Sequence, residues 1–331
     1  MITFREFTKT FGARAAVSSL TLKIEEGEVM ALLGPNGSGK TTSIKAAAGV
    51  LQPTSGTVLI GEPPRPASDP EARRIAAFLP QRVSFPEHLT GAEILEFYCA
   101  LRGQSTDRVD AVLASVSLGD ATRRHAGTYS GGMTQRLGLA VALASDAPLL
   151  LLDEPTAALD PEGLAAFYAL VGHRRGQGQT TVFSSHQLDD VERLADRVAV
   201  LVDGALVTVL TAAELADRVA DRGEMRVIVH GLTAAALADV RTVATDVHAN
   251  DDVLLVRGAS TLRPRVLEAL ARHHVDVRSL TVQEGRLDQW YRELVAAQPS
   301  AAAVATGASQ VEDPSTLGRA LYCAKALWGR R

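Results

Sequence analysis

Cysteine is nearly absent from this 331-residue chain: only Cys99 and Cys323 occur, far apart in sequence. Two such residues cannot build a disulfide scaffold or a thiolate cage for zinc, and they suit a reducing compartment. No apolar run reaches the length of about eighteen residues that a bilayer-spanning helix needs. The most apolar stretches, Val29–Leu33 and Leu149–Leu152, have the length of strands. The opening residues, MITFREFTKTFG, lack the cationic start, apolar middle and cleavage site of a signal peptide. The chain is therefore expected in the cytoplasm, with any membrane role coming through a partner. An excess of bases is missing too. Against 38 Asp and Glu stand 34 Lys and Arg, a net charge of −4 with a pI near 6.1. Such a chain is poorly suited to nucleic acid, where clustered bases release counterions. Long-period repeats are absent.

What is present suits a large core, with 46% hydrophobic and 22% charged residues over a length that suggests two globular units. Strands are expected at 2–4, 20–24, 29–33 and 57–60, and a helix at 40–50. A proline-rich turn at 62–66 should interrupt regular structure. From 89 to 144 the pattern is helical, and Val109, Val112, Leu113 and Val116 recur at the spacing of one buried helix face. Asp160-Pro161 reads as a helix start, with the carboxylate capping free amides. Strands at 149–152, 180–184 and 198–202 alternate with helices, which implies a mostly parallel α/β sheet.

From about residue 224 the order becomes βαββαβ, the ferredoxin-like arrangement. A last helix, 287 to about 297, carries Leu287, Trp290, Tyr291 and Leu294 on one face. Residues 299–314 read as a linker rich in Ala, Ser, Gly and Pro. Beyond them, Leu317, Ala320, Leu321, Ala324, Leu327 and Trp328 form an apolar stripe, either a disordered extension or a membrane-surface contact. The expected domains are 1–222, 223–298 and a tail at 299–331.

The chemistry begins at Gly34-Pro35-Asn36-Gly37-Ser38-Gly39-Lys40-Thr41, which has P-loop spacing between an apolar strand and a helix. Its glycines let backbone amides turn inward around phosphate oxygens at a helix N-terminus. Lys40 should reach the β- and γ-phosphates and Thr41 should ligate Mg²⁺, with Thr42 next to it in the nucleotide site. After the run Leu149–Leu152, Asp153 should hold Mg²⁺ through water, and Glu154 should polarise the attacking water. Alone, an acidic pair after a strand is a solvated feature; beside a P-loop it is a candidate site. Ser130, Gly131 and Gly132 open a further helix and form a second anion site of hydroxyl and amides.

The segment Tyr129-Ser130-Gly131-Gly132-Met133 resembles the signature motif of ABC transporter ATPases, with Tyr129 in place of Leu and Met133 in place of Gln. Other elements of that family follow in order over residues 1–220. Phe11 resembles the aromatic that stacks on adenine, and Gln81 the glutamine that contacts Mg²⁺ and water. Ala158-Leu159-Asp160 resembles the D-loop, and His186 the switch histidine facing the γ-phosphate. The resemblance implies an α/β P-loop NTPase with a RecA-like core, an antiparallel β subdomain and a helical subdomain, followed by the ferredoxin-like domain. It further implies an ATPase whose ATP and Mg²⁺ lie between two subunits packed head to tail. The second subunit is a further copy or a paralogue, whose signature helix with Ser130, Gly131 and Gly132 faces the ATP, and Asp160 is counted with the nucleotide site. The other implied partner is a multi-span permease, which would hold the chain at the cytoplasmic face of the membrane.

Within that superfamily, residues 41–45, 79–85 and 129–140 and the C-terminal domain look like NosF-type ATPases, which serve maturation of the copper site of nitrous oxide reductase. That resemblance adds a periplasmic partner protein, and lacking Cys-x-x-Cys or a Met cluster, the chain is not expected to bind copper itself. Exporters of drugs, lipids or polysaccharides share part of these features and form the alternative. A soluble ABC protein acting on ribosomes or DNA is a further one, disfavoured by a single ATPase unit and an acidic balance.

Overall fold

The computed structural model describes residues 1–283 together with Leu287, Trp290, Tyr291, Glu293 and Leu294; the expected linker and apolar stripe beyond residue 298 lie outside the described residues. Strands β1 (Ile2–Phe11) and β2 (Arg14–Ile24) pair antiparallel and continue the chain into β3 (Val29–Leu33). With β4 (Ser55–Ile60) and β5 (Arg65–Pro66), the first two form a sheet of order β2-β1-β4-β5. Both long strands exceed the short runs expected at 2–4 and 20–24, because polar Thr8, Lys9 and Thr10 extend β1 across irregular register. The proline turn also differs from expectation. Pro66 pairs with Leu59 at the sheet edge, where a missing N–H removes no ladder bond.

The second sheet takes β3 as its centre. It adds β6 (Ala76–Leu79), β7 (Leu149–Leu152), β8 (Thr180–Ser185), β9 (Arg197–Val202) and β10 (Ala205–Thr211) in the order β10-β9-β3-β8-β7-β6. All neighbours are parallel except β10, which returns antiparallel from β9. Side chains alternate between two cores. Leu150 and Leu152 join one apolar cluster and Leu149 and Leu151 the other, so all four are buried. A continuous apolar run is what a strand covered on both faces requires. One face packs on the antiparallel sheet and α1 (Lys40–Ala47), which stops short of residue 50 where Gly49 turns left-handed at φ 67°.

The small α2 (Pro70–Arg74) leads into β6. The other face packs on α3 (Gly91–Leu101), α4 (Val109–Ser115), α5 (Gly131–Leu143), α6 (Pro161–Gly176), α7 (Leu188–Leu194) and α8 (Ala212–Ala220). Strand β10 and helix α8 were not expected from the sequence. Yet α8 opens on a Thr211–Glu214 capping box that marks such a start.

The remaining elements are β11 (Glu224–His230), α9 (Ala234–Val243), β12 (Asp246–Asn250), β13 (Val253–Arg257), α10 (Leu262–Arg272) and β14 (Asp276–Gln283). Their sheet order β12-β13-β11-β14, antiparallel throughout, is ferredoxin-like. It has its own core around Val227, Val240, Leu254 and Val266. Leu287, Trp290, Tyr291 and Leu294 belong instead to the larger helical core, with Leu215 and Val219 of α8. The apolar face expected to finish the small domain therefore fills the core of its neighbour.

Candidate functional site

Four adjacent parallel strands end on the same edge of the second sheet. Strand β3 runs into Gly34, β8 into His186, β7 into Asp153 and Glu154, and β6 towards Gln81. This is the edge where open α/β sheets bind ligands. A cavity of about 540 Å³ opens there, lined by Phe11, Arg14, Asn36–Thr42 and, opposite them, by Gln81, Glu154 and His186.

The loop from β3 to α1 is shaped for close backbone approach. A Cβ on Gly34 would collide with the carbonyl oxygen of Leu201, and one on Gly39 would lie 2.7 Å from Ala16 O. Gly39 also sits at φ 100° and carries no side chain to cap α1, so the first amides of the helix keep their capacity for an anion. Lys40 is buried, and its Nζ donates to Gly34 O at 2.7 Å and Pro35 O at 3.1 Å. Burial pulls its pKa below the usual lysine value, opposed by the charges of Glu154 and Asp153. An ammonium held by two backbone carbonyls, with the charge of two carboxylates favouring its protonated form, stays ready for phosphate oxygens.

Asp153 is fully buried. Its Oδ1 accepts from Thr41 Oγ1 and from Ser184 Oγ, both at 2.9 Å, while Oδ2 has no partner. A buried carboxylate oxygen left without a partner beside a threonine hydroxyl fits a divalent cation with oxygen ligands, which the residues Thr41, Asp153 and Gln81 would supply. Ser38 Oγ is likewise buried without a partner.

Glu154 stands at a left-handed φ of 48°, a costly conformation for a residue with a side chain. Its N–H donates to Ser184 Oγ at 2.8 Å, and its Oε2 accepts from Gln81 Nε2 at 2.8 Å. His186 Nδ1 lies 3.9 Å from Glu154 Oε1, beyond hydrogen-bond distance. Phe11 is 53% exposed at the cavity rim with the Lys9 ammonium 5.3 Å from its ring centre. That leaves one aromatic face available for stacking.

Ser130, Gly131, Gly132 and Asp160 stand apart, for the lining of this cavity includes none of them. Ser130 caps α5, accepting from Met133 N at 3.2 Å. Tyr129, half-buried against the helical core, donates its hydroxyl to Ala121 O at 2.8 Å, and Met133 packs on the same core. Both departures from the family motif thus serve local packing. Asp160 caps α6 through Gly163 N at 3.0 Å and meets Arg136 of α5 at 3.4 Å. A Cβ on Gly132 would lie 2.9 Å from Ala158 O, so the D-loop and the signature helix touch within one chain. Arg14, Ala16 and Ser184 belong to the site without having been expected. Arg14 follows the Phe11 turn, and Ser184 precedes His186 by two residues, so proximity to predicted residues was the available signal.

The family model described as ABC transporter matches residues 17–157. The daunorubicin/doxorubicin resistance ATP-binding protein DrrA of Streptomyces peucetius is 32% identical over 298 residues, covering 86% of this chain and 89% of that protein. The linearmycin resistance ATP-binding protein LnrL of Bacillus subtilis (strain 168) is 28% identical over 89% of this chain and 98% of its own length. Among solved structures, an ATP-binding subunit of an ABC transporter superposes with a TM-score of 0.60 at 27% identity, covering 66% of this chain and 92% of that one. The dimeric post-hydrolysis state of the cassette MJ0796 bound to ADP and Pi superposes at 0.59 and 26%, covering 64% and 99%.

Proposed function

Since this chain belongs to the ABC transporter family of ATP-binding proteins, we propose that it hydrolyses ATP as the motor subunit of an ABC-2 type exporter. Its P-loop ATPase fold and its relation to resistance ATPases are the premises. The observation that carries the reading is the meeting of Lys40, Thr41, Asp153, Glu154, Gln81 and His186 at one sheet edge around a single cavity.

In this reading Lys40 and the amides of 34–42 bind the phosphates, and Phe11 stacks on the base. Thr41, Asp153 and Gln81 would hold Mg²⁺, which when bound would offset the charge of the phosphates. Glu154 takes a proton from the attacking water, and His186 orients the γ-phosphate side. Because Ser130, Gly131, Gly132 and Asp160 lie outside the cavity, they are assigned to the ATP of a second subunit, a copy or a paralogue. The cassette MJ0796 has been solved as a dimer, which supports a dimeric working form here, and as a transporter subunit that dimer would act on a membrane permease. The chain would then sit at the cytoplasmic face against a multi-span permease, with 223–298 as a separate domain.

The named relatives favour a resistance exporter for a small toxic compound. The narrower NosF-type role in copper-site maturation, with a periplasmic partner, has in its support the stretches 41–45, 79–85 and 129–140 and the ferredoxin-like domain, and none of the named relatives. Host deletion followed by assay of nitrous oxide reduction and of compound resistance separates the two.

Glu154→Gln tests the catalytic reading. Turnover should fall by about 10²- to 10⁴-fold, the usual range for a general base, while ATP and Mg²⁺ still drive dimerisation in size-exclusion chromatography. A variant that stays monomeric, or one that turns over at the wild-type rate, contradicts it.

A further inference from the structure

The loops that carry Glu154 and His186 share one buried anchor. Asp190, in the first turn of α7, is 1% exposed. Its Oδ2 accepts from Thr156 Oγ1 at 2.7 Å and from Ser185 Oγ at 2.9 Å. Its Oδ1 accepts from the Tyr168 hydroxyl of α6 at 2.7 Å. Thr156 lies two residues beyond Glu154, and Ser185 lies one before His186. A single carboxylate oxygen therefore joins the segment after the candidate base to the segment before the candidate histidine.

Glu154 needs such support. Its left-handed backbone is costly for a residue with a side chain and persists only where neighbouring bonds over-determine it. Ser184 Oγ holds the N–H of Glu154 on one side. The Thr156–Asp190 bond holds the chain just past it on the other. Ser185 Oγ also accepts from Gln187 N at 3.0 Å, so the backbone on both sides of His186 is tied to the same network. Burial and the bond to Asp190 keep the Tyr168 hydroxyl protonated and donating, well above its ordinary pKa.

We propose that Asp190 is a positioning residue for ATP hydrolysis: by joining Thr156 to Ser185 it sets how His186 approaches Glu154. The proposal rests on the reading of Glu154 as the base that acts on water. Asp190 touches neither the cavity lining nor the P-loop, so its effect should fall on turnover and spare nucleotide binding.

Steady-state hydrolysis by the full chain, with melting curves alongside, tests it. Asp190→Ala should lower kcat about tenfold or more with KM for ATP within about twofold of wild type. Asp190→Asn retains an oxygen for Thr156 and Ser185 and should recover most of the rate. Tyr168→Phe releases only the α6 attachment and should stay within about twofold. Thr156→Val, a near-isosteric change, should lower kcat about threefold or more at unchanged KM, and it decides the matter if Asp190→Ala does not fold. A kcat within about twofold of wild type in the folded variant of Asp190, or in Thr156→Val when that is the deciding variant, overturns the proposal. Equal losses in Asp190→Ala and Tyr168→Phe, tracking the melting temperature, overturn it as well. Glu154→Gln run in parallel separates the premises. Normal turnover there defeats the base assignment, whereas an inactive Glu154→Gln beside a fully active Asp190→Ala defeats only the positioning role.

Discussion

Two helices in this chain begin on small residues aimed at an anion, and they are built differently. Helix α1 starts at Gly39, which offers no side chain to its amides, and Lys40 folds back onto Gly34 and Pro35. Helix α5 starts at Ser130, whose hydroxyl accepts from the amide of Met133. The first N-terminus lies on a cavity with two carboxylates and a histidine close by. The second lies against the D-loop, where Arg136 of α5 pairs with Asp160. A helix N-terminus is thus only half of a phosphate site. The α1 end has its cation, its acids and its room within one chain, whereas in the proposed dimer the α5 end would meet them across the second subunit.

Ser130→Arg should show the larger break. A long cation at the start of α5 would obstruct the neighbouring nucleotide, and loss of such donors to transferring groups costs about 10²- to 10³-fold in turnover. ATP affinity, measured by fluorescent nucleotide titration of the isolated chain, should stay within about twofold of wild type. Lys40→Ala should act on the opposite quantity. Removing charge-assisted bonds worth about 1.5–3 kcal/mol should weaken ATP binding by roughly ten- to a hundredfold in the same titration. Equal losses of affinity in both variants would contradict the division of labour between the two N-termini. The smallest effect is expected from the C-terminal segment. Deleting residues 299–331 should leave hydrolysis unchanged, and sedimentation with membranes checks whether the apolar stripe adds an attachment of its own.

Much of this was readable before any fold was known, because short-range chemistry announces itself in order. The P-loop glycines, the apolar run into Asp153, and Asp160-Pro161 at a helix start each depend on neighbours within a few residues. The four-strand convergence was readable only in part. Alternation of strands and helices implies a parallel sheet, yet nothing in the spacing says that β8 lies between β3 and β7. Arg14 reaches the cavity because the β1–β2 hairpin folds over the P-loop, a contact between segments some twenty residues apart. Trp290 shows the same limit, since its helical stripe was plain but the core it fills was not.

The sequence by itself determined the chemical class of the site and the kind of elements that carry it: glycine freedom, helix caps, buried runs and paired acids are properties of local backbone and side chains. Only the tertiary structure decided which loops share an edge, that Gln81 donates to Glu154, and that one buried Asp190 binds the hydroxyls of Thr156, Ser185 and Tyr168. Those bonds join residues 22 to 73 positions apart, apart from Ser185, five positions from Asp190. They form because closing the sheet and its two cores brings polar groups out of water together, where each must find a partner or raise the free energy of the fold.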